Sequence, residues 1–274
     1  MFSGLLSIPQ AVLLGIVEGI TEFLPVSSTG HLLVVGELIG FGTGSSSTAA
    51  DTYSIAIQFG AILAVLLLYR IRVWSAMKGL VGADADGRAF LIRLIVAFLP
   101  AAFLGVLAGD AMKSALFGPV PVTIAWVVGG VFLLRWKPTV GSVSLHEMPI
   151  RAALIIGCAQ SIALWPGVSR SLVTLVAALA VGLSMSSAIE FSFLLGLITL
   201  SSATALDLTK HGSELVDQFG ILAPAIGLVC AFITAVIAVK LMVGYLESHS
   251  LRVFGWYRLA IGAVSVVLLA TNVL

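Results

Sequence analysis

The stretch Glu18 to His31, EGITEFLPVSSTGH, sets two carboxylates, an imidazole, four hydroxyls and a proline among Leu, Val, Ile and Gly. Glu18 and Glu22 are spaced i, i+4 and so share one helix face. Two neighbouring carboxylates repel unless something positive sits between them, and a divalent cation such as Mg2+ or Ca2+ suits a pair of hard oxygen ligands. After Pro25 come Ser27, Ser28 and Thr29, all good N-cap residues, opening an apolar helix near Gly30 and His31. A second stretch, WPGVSRSLVT from Trp165 to Thr174, repeats the device with Gly167, Ser169, Arg170, Ser171 and Thr174. Two helix N-termini bearing hydroxyls, one with an arginine, form an anion site suited to phosphate. Acids, cation, anion cradle and imidazole together describe hydrolysis of a phosphate ester or anhydride.

The surroundings of these groups point to a lipid. The chain has 274 residues, of which 59% are hydrophobic and only 10% charged, and its mean hydropathy is +1.15. Soluble domains carry about 25% charged residues, so this is an all-α integral membrane protein. A net charge of +1 offers no basic surface for nucleic acid. Cys158 and Cys230 lie in apolar runs and read as buried small hydrophobes. The N-terminus lacks a basic region, and Glu18 and Glu22 interrupt its apolar stretch, so it reads as mature fold rather than a signal peptide.

Six stretches are long and apolar enough to cross a bilayer, roughly 53–69, 90–109, 119–135, 188–206, 221–243 and 254–272. Two more, roughly 5–39 and 150–183, are interrupted by Pro, Ser and Gly. As one helix the first would run about 50 Å, too long for a hydrocarbon core of about 30 Å, so each is expected to be a broken, re-entrant pair. Irregular backbone at membrane depth must line a polar pocket or be buried in protein. An acid at the centre of a lipid-facing helix would cost about 2.5–3.5 kcal/mol, so the Glu18 and Glu22 face must turn inward.

An internal repeat organises the chain. GIVEGITEFLPVSST (Gly15 to Thr29) aligns with GCAQSIALWPGVSRS (Gly157 to Ser171), matching Gly15 with Gly157, Glu18 with Gln160 and Ser27 with Ser169. Downstream, AIQFGAIL (Ala56 to Leu63) aligns with AIEFSFLL (Ala188 to Leu195). The expected architecture is one membrane domain over 1–274, with a first repeat at 1–137 and a second, inverted repeat at 150–274. The two re-entrant loops then meet near the midplane. This topology puts Arg70, Arg72, Lys78, Arg88, Arg93, Arg135, Lys137, Arg151, Lys240, Arg252 and Arg258 on one side and only Lys113 and Lys210 on the other. By the positive-inside rule the first side is cytoplasmic and both termini lie outside. Trp74, Trp136 and Trp256 are expected to anchor helix ends at the interface, and Trp165 to brace Pro166 or meet a lipid tail.

At these residues the sequence resembles the undecaprenyl-diphosphate phosphatases linked to bacitracin resistance, over essentially the whole chain. The family's acidic motif, EGxTEFLPVSSTGH, is matched from Glu18 to His31, and its PGxSRSxxT motif from Pro166 to Thr174. The EFSFLL stretch at Glu190 to Leu195 and the ATALDL stretch at Ala203 to Leu208 are also similar. One departure is Leu172, where the family usually has Gly after SRS.

The resemblance implies an interdigitated inverted repeat and a bacterial inner-membrane enzyme. It would convert undecaprenyl diphosphate to undecaprenyl phosphate and inorganic phosphate, recycling the cell-wall carrier lipid and conferring bacitracin resistance. It further implies dependence on magnesium or calcium and a site open to the outer face. On this basis Glu18 and Glu22 would hold the metal or handle protons, and Arg170 would grip the diphosphate. Ser27, Ser28, His31, Gly167, Ser169, Ser171 and Thr174 would complete the pocket.

The attacking group stays open between His31 or Ser27 as nucleophile and a water activated by Glu22 or His31. The alternative function is a transporter of a phosphorylated polyprenyl lipid, because broken helices meeting at the midplane also suit a flippase. The sequence sets no oligomeric state and leaves a homodimer open.

Overall fold

Each long apolar stretch becomes a helix, and each Pro-Ser-Gly interruption ends one. The computed structural model describes residues 6–41, 47–137 and 141–274. Residues 1–5, at the start of the expected first repeat, and the side chain of Lys113, counted above, lie outside the described residues. The helices are α1 Ile8–Thr21, α2 Ser28–Leu38, α3 Ser47–Leu68, α4 Arg70–Leu80, α5 Ala85–Leu116, α6 Pro119–Arg135, α7 Ile150–Gln160, α8 Arg170–Ala180, α9 Met185–Phe219, α10 Leu222–Leu246 and α11 Arg252–Ala270. A 3-10 turn at Ser161–Leu164 extends α7. Among the described residues there is no named strand, only an isolated bridge between Val143 and Leu183.

Local chemistry explains the boundaries. Ser7 caps α1 through a reciprocal pair with Gln10, a capping box that satisfies two otherwise free N–H groups. Gly220, at φ 67°, stops α9, because that left-handed conformation costs glycine little. The broken segments divide as expected, α1 from α2 at 22–27 and α7 with its 3-10 turn from α8 at 165–169. The helices after the two breaks are 11 residues each.

The two halves of the chain are interleaved rather than side by side. α1 packs on α10, α3 on both α9 and α10, α5 on α7 and α6 on α11. Gly15 and Gly157 occupy corresponding places in this packing. A Cβ on Gly15 would collide with the backbone carbonyl of Gly227 in α10, and one on Gly157 with that of Ala97 in α5. Small residues let helix backbones approach where the surrounding lipid offers no hydrophobic drive for association.

Several expectations are refined or corrected. Among the described residues, five helices, α3, α5, α9, α10 and α11, are long and apolar enough to cross a membrane. The sixth expected crossing, 119–135, is α6, whose 17 residues extend about 25 Å and reach only the short end of the spanning range. α5 and α9 have 32 and 35 residues, well beyond the stretches assigned to them, because their polar flanks continue the helix beyond the apolar run.

Cys158 is exposed and Cys230 half-buried. In a membrane protein an apolar run often faces lipid, so an apolar side chain need not face the protein interior. Arg258, counted above among the charges of one side, lies within α11 and is 0% exposed, so it is buried in the protein rather than set at a membrane surface. Arg72 forms an ion pair with Glu190 at 2.7 Å, joining α4 to α9.

Candidate functional site

The two breaks share one backbone device. Ser27 has φ 72° and ψ 99°, and Ser169 φ 75° and ψ 108°. They are two of only three non-glycine residues with positive φ among those described. Such a conformation costs on the order of 1–3 kcal/mol and persists only where the surroundings impose it. Here each serine is also an N-cap. Ser27 Oγ accepts from the Gly30 N–H at 3.5 Å, and Ser169 Oγ from the Leu172 N–H at 3.3 Å. The departure at Leu172 therefore leaves the cap intact.

Side chains tie the breaks to each other and to the neighbouring helices. Ser171 Oγ donates to the Leu24 carbonyl at 2.8 Å, crossing from the second break to the first. Trp126 Nε1 donates to the Val26 carbonyl at 2.8 Å. Arg258 joins both breaks: its Nη2 donates to Gly167 O at 2.9 Å and Ala125 O at 2.8 Å, and its Nη1 to Pro25 O at 3.4 Å. A Cβ at Gly129 would occupy the place of this guanidinium. A buried charge needs such partners, and the carbonyls of a broken helix need such donors.

The reactive groups meet where the breaks face one another. Arg170 Nη2 lies 3.0 Å from Glu22 Oε1, with the Glu22 side chain buried and that of Arg170 11% exposed. Ser28 Oγ donates to the other carboxylate oxygen, Glu22 Oε2. Arg170 Nη1 also reaches Ser192 O at 3.4 Å, and the guanidinium lies 5.6 Å from the centre of the Phe23 ring. Gly196 leaves room for it, since a Cβ there would overlap the guanidinium.

A cavity of about 170 Å³ opens here, and Glu22, Ser27, Ser28, Gly167, Ser169 and Arg170 all contribute to its wall. Since one water needs at least about 10–15 Å³ and occupies about 30 Å³ in the liquid, this is space for several waters or a phosphate headgroup. Trp165 lines it too, while its Nε1 donates to Pro121 O at 3.2 Å.

The remaining expected site residues stand behind this wall. His31 has both ring nitrogens engaged: Nδ1 with the Ser27 carbonyl at 2.7 Å and Nε2 with the Tyr257 hydroxyl at 2.8 Å. A carbonyl only accepts, so Nδ1 carries a proton, and in the neutral ring Nε2 accepts from Tyr257. The imidazole stacks on Tyr257 and meets the Trp126 ring edge-on, so it braces the strained Ser27 backbone. Ser171 and Thr174 are buried. Thr174 Oγ1 donates to Arg170 O at 2.9 Å and lies 2.5 Å from Ser192 Oγ. Glu18 is 0% exposed, and neither carboxylate oxygen has a hydrogen-bond partner among the described residues.

Sequence reasoning missed Arg258, Tyr257, Trp126 and Gly196 as parts of the site. Arg258 had a usable signal: a cation inside the apolar run FGWYRLAIGAV must find partners within the protein.

A second cavity of about 320 Å³ shares Thr29, Gln58, Leu164 and Pro166 with the first. Its wall is mostly apolar, including Leu32, Leu33, Phe41, Ile55 and Met112, with Glu37 and Asp51 among its polar members.

The family described as bacitracin resistance protein BacA matches residues 11–264. An undecaprenyl-diphosphatase of Sorangium cellulosum is 44% identical over 262 residues, covering 93% of this chain and 84% of that protein. One from Rhodopseudomonas palustris is 42% identical over 266 residues, covering 95% of this chain and 97% of that protein. One from Nitrosomonas europaea is 43% identical over 259 residues, covering 93% and 92%.

Proposed function

Because the chain belongs to the bacitracin resistance protein BacA family, we propose that it is an undecaprenyl-diphosphatase, a multi-pass membrane hydrolase. It releases inorganic phosphate from undecaprenyl diphosphate and returns undecaprenyl phosphate to cell-wall synthesis, which underlies bacitracin resistance. The observation that carries the mechanism is the arrangement around one carboxylate: Ser28 Oγ donates to Glu22 Oε2 while Arg170 Nη2 holds Oε1 at 3.0 Å. A hydroxyl next to a base, with the base oriented by a third group, is the signature of an activated nucleophile.

In our reading Ser28 Oγ attacks the terminal phosphorus and Glu22 Oε2 takes its proton. The bond to the bridging oxygen breaks, and undecaprenyl phosphate leaves with the electron pair. Glu22 passes that proton to the departing undecaprenyl phosphate; the regenerated carboxylate then takes a proton from water, which attacks the phosphoserine, and as the P–Oγ bond breaks Glu22 returns the proton to Ser28 Oγ and inorganic phosphate is freed. Arg170 and the N–H groups at the start of α2 and α8 meet the charge on the phosphoryl oxygens. His31 acts as a positioning residue, holding the carbonyl of Ser27 and so the direction of Ser28. We place the nucleophile at Ser28 in preference to the Ser27, His31 or activated water considered on sequence; the contact of Ser28 Oγ with Glu22, the capping role of the Ser27 hydroxyl and the two engaged His31 nitrogens support this reading.

A divalent cation fits this site in one form. Among the described residues no group of three or more His, Cys, Asp or Glu side chains comes together, so the protein offers no cage of its own. Glu18 supplies two buried, unpartnered oxygens beside Glu22. Magnesium is commonly held by one or two carboxylates together with substrate phosphates. Glu18 and Glu22 would be its protein ligands, and when bound it would neutralise diphosphate charge.

The apolar cavity joined to the polar one supports a lipid substrate with its tail beside α2, α3 and the end of α5. The interleaved packing and the matched Ser27 and Ser169 support an inverted repeat of 1–137 and 150–274. With the charge bias it also supports termini on the outer side and a site open to that side. No observation favours transport over cleavage.

The test is phosphate release from undecaprenyl diphosphate by the purified protein in detergent with magnesium. Ser28→Ala and Glu22→Gln should each abolish it, and a chelator should suppress it. Full activity in Ser28→Ala would remove the hydroxyl from its role.

A further inference from the structure

Gln160 is the last residue of α7 and is 2% exposed, yet it lines the polar cavity. Its Oε1 lies 3.3 Å from the Thr199 hydroxyl, which shares its one proton with the Leu195 carbonyl at 2.9 Å, while its Nε2 has no hydrogen-bond partner. One other residue on this cavity wall has a buried polar atom without a partner: Arg170, at Nε. Both orphan atoms are N–H donors. Buried polar groups are normally satisfied, so two unpaired donors on one wall point to an acceptor that arrives from outside. An amide can turn about its last torsion, and an incoming anion selects its NH2 face.

By the charge of its lining the cavity divides into two lobes. One is charged, with Arg170, Glu22, Ser28 and Ser169 at the breaks. The other is neutral, with Gln160 of α7, Gln58 of α3 and Thr199 of α9. A single phosphate is satisfied at the charged lobe. A diphosphate is longer and carries a second set of acceptor oxygens.

We propose that Gln160, held by Thr199, is a specificity-determining residue that binds the second phosphate of the substrate, so that the cavity distinguishes a diphosphate from a monophosphate. This rests on the phosphatase reading and deepens it. It gives the neutral lobe the task of releasing product: undecaprenyl phosphate and inorganic phosphate each engage one lobe, whereas the substrate engages both.

The experiment compares wild type with Gln160→Leu, reading KM and kcat for undecaprenyl diphosphate and inhibition by inorganic diphosphate and inorganic phosphate. Hydrogen bonds to charged groups are strong enough that Gln160→Leu should raise KM, and weaken diphosphate inhibition, by about tenfold or more. Inhibition by inorganic phosphate should change less than about threefold by the same reasoning, because it stays with Arg170. Unchanged constants, or equal weakening for both anions, would overturn the proposal.

If Gln160→Leu does not fold, Gln160→Glu keeps the size and Thr199 contact while replacing donor with acceptor. It should show the same selective loss, and no loss would overturn the proposal. Direct calorimetric binding of the two inorganic anions gives the same comparison without turnover. A wild-type protein that selects diphosphate through Gln160 but releases no phosphate would separate this inference from the phosphatase reading.

Discussion

Replacing Arg258 with methionine should uncouple the two breaks without touching a reacting group. The guanidinium is buried and donates to Gly167 O at 2.9 Å, Ala125 O at 2.8 Å and Pro25 O at 3.4 Å. Ala125 lies inside α6, where its carbonyl also has the helix ladder. Gly167 and Pro25 lie in the breaks, and Arg258 supplies the hydrogen bonds described for their carbonyls. A buried carbonyl left unpaired costs about 1–3 kcal/mol. The Gly167 bond should account for most of this, since 3.4 Å is long for Pro25. Removing a buried charge offsets part of the loss, because the guanidinium no longer has to be desolvated.

The net destabilisation should therefore be about 2 kcal/mol or less, which leaves a folded protein. Catalysis should suffer more. Gly167 and Pro25 position the segments that carry Arg170 and Ser28, and a misplacement of about 1 Å costs on the order of 100-fold in rate. The assay is kcat and KM per folded molecule, with folded protein counted by size exclusion in detergent. Arg258→Met should lower kcat about 100-fold with a smaller change in KM, and Arg258→Lys, reaching fewer carbonyls, should fall between. Wild-type kcat per folded molecule in Arg258→Met would refute the reasoning.

Other substitutions probe other parts of the site. Gly196→Ala places a methyl against the Arg170 guanidinium and should cost at least about tenfold in kcat/KM, equivalent to about 1.4 kcal/mol of transition-state binding; a neutral result would mean that Arg170 has room to move. His31→Ala should slow turnover by about 100-fold through loss of positioning, yet phosphate should still transfer to Ser28 on rapid quench; complete loss of transfer would return His31 to a chemical role. Outside the membrane, Asp84 accepts from the Gly87 N–H at 2.8 Å and the Ser75 hydroxyl at 2.6 Å, which hold its carboxyl below the ordinary range. A depressed folded value stabilises the fold above the ordinary aspartate pKa of about 3.9, and this contribution fades as pH falls through the lower folded value. The gap in melting temperature between wild type and Asp84→Ala should thus narrow on acidification from pH 6 to 3; a gap that widens would contradict the sign.

Much of the site was legible because its chemistry sits in two short stretches. Glu22, Ser28 and Arg170 stand within the motifs, and the prolines and serines that break the helices also place them. The alignment of Ser27 with Ser169 anticipated two backbones that agree within about ten degrees in φ and ψ. What stayed hidden depends on contacts between distant parts of the chain. Tyr257 reaches His31 across 226 residues, and no local pattern announces such a pair. Arg258 falls inside the expected span 254–272, yet a count of charges by side treats it as a surface charge, because such a count ignores depth within a helix. α4 falls in the gap between the expected spans 53–69 and 90–109, since RIRVWSAMKGL mixes charge with apolar residues at no clean helical period; tertiary packing on α5 supports it. Among the expected hydroxyls, Ser171 and Thr174 could not be sorted from Ser28 by sequence, since all three stand near a helix start and only packing decides which faces the cavity.

The most direct test of the central claim is where the phosphoryl group goes. Undecaprenyl diphosphate labelled in its terminal phosphate is mixed with the purified protein, quenched within milliseconds and mapped by peptide. The account predicts label on Ser28 that decays as inorganic phosphate appears, and no label in Ser28→Ala. Label on Ser27 or His31, or phosphate release at full rate without labelled protein at any quench time, would contradict it.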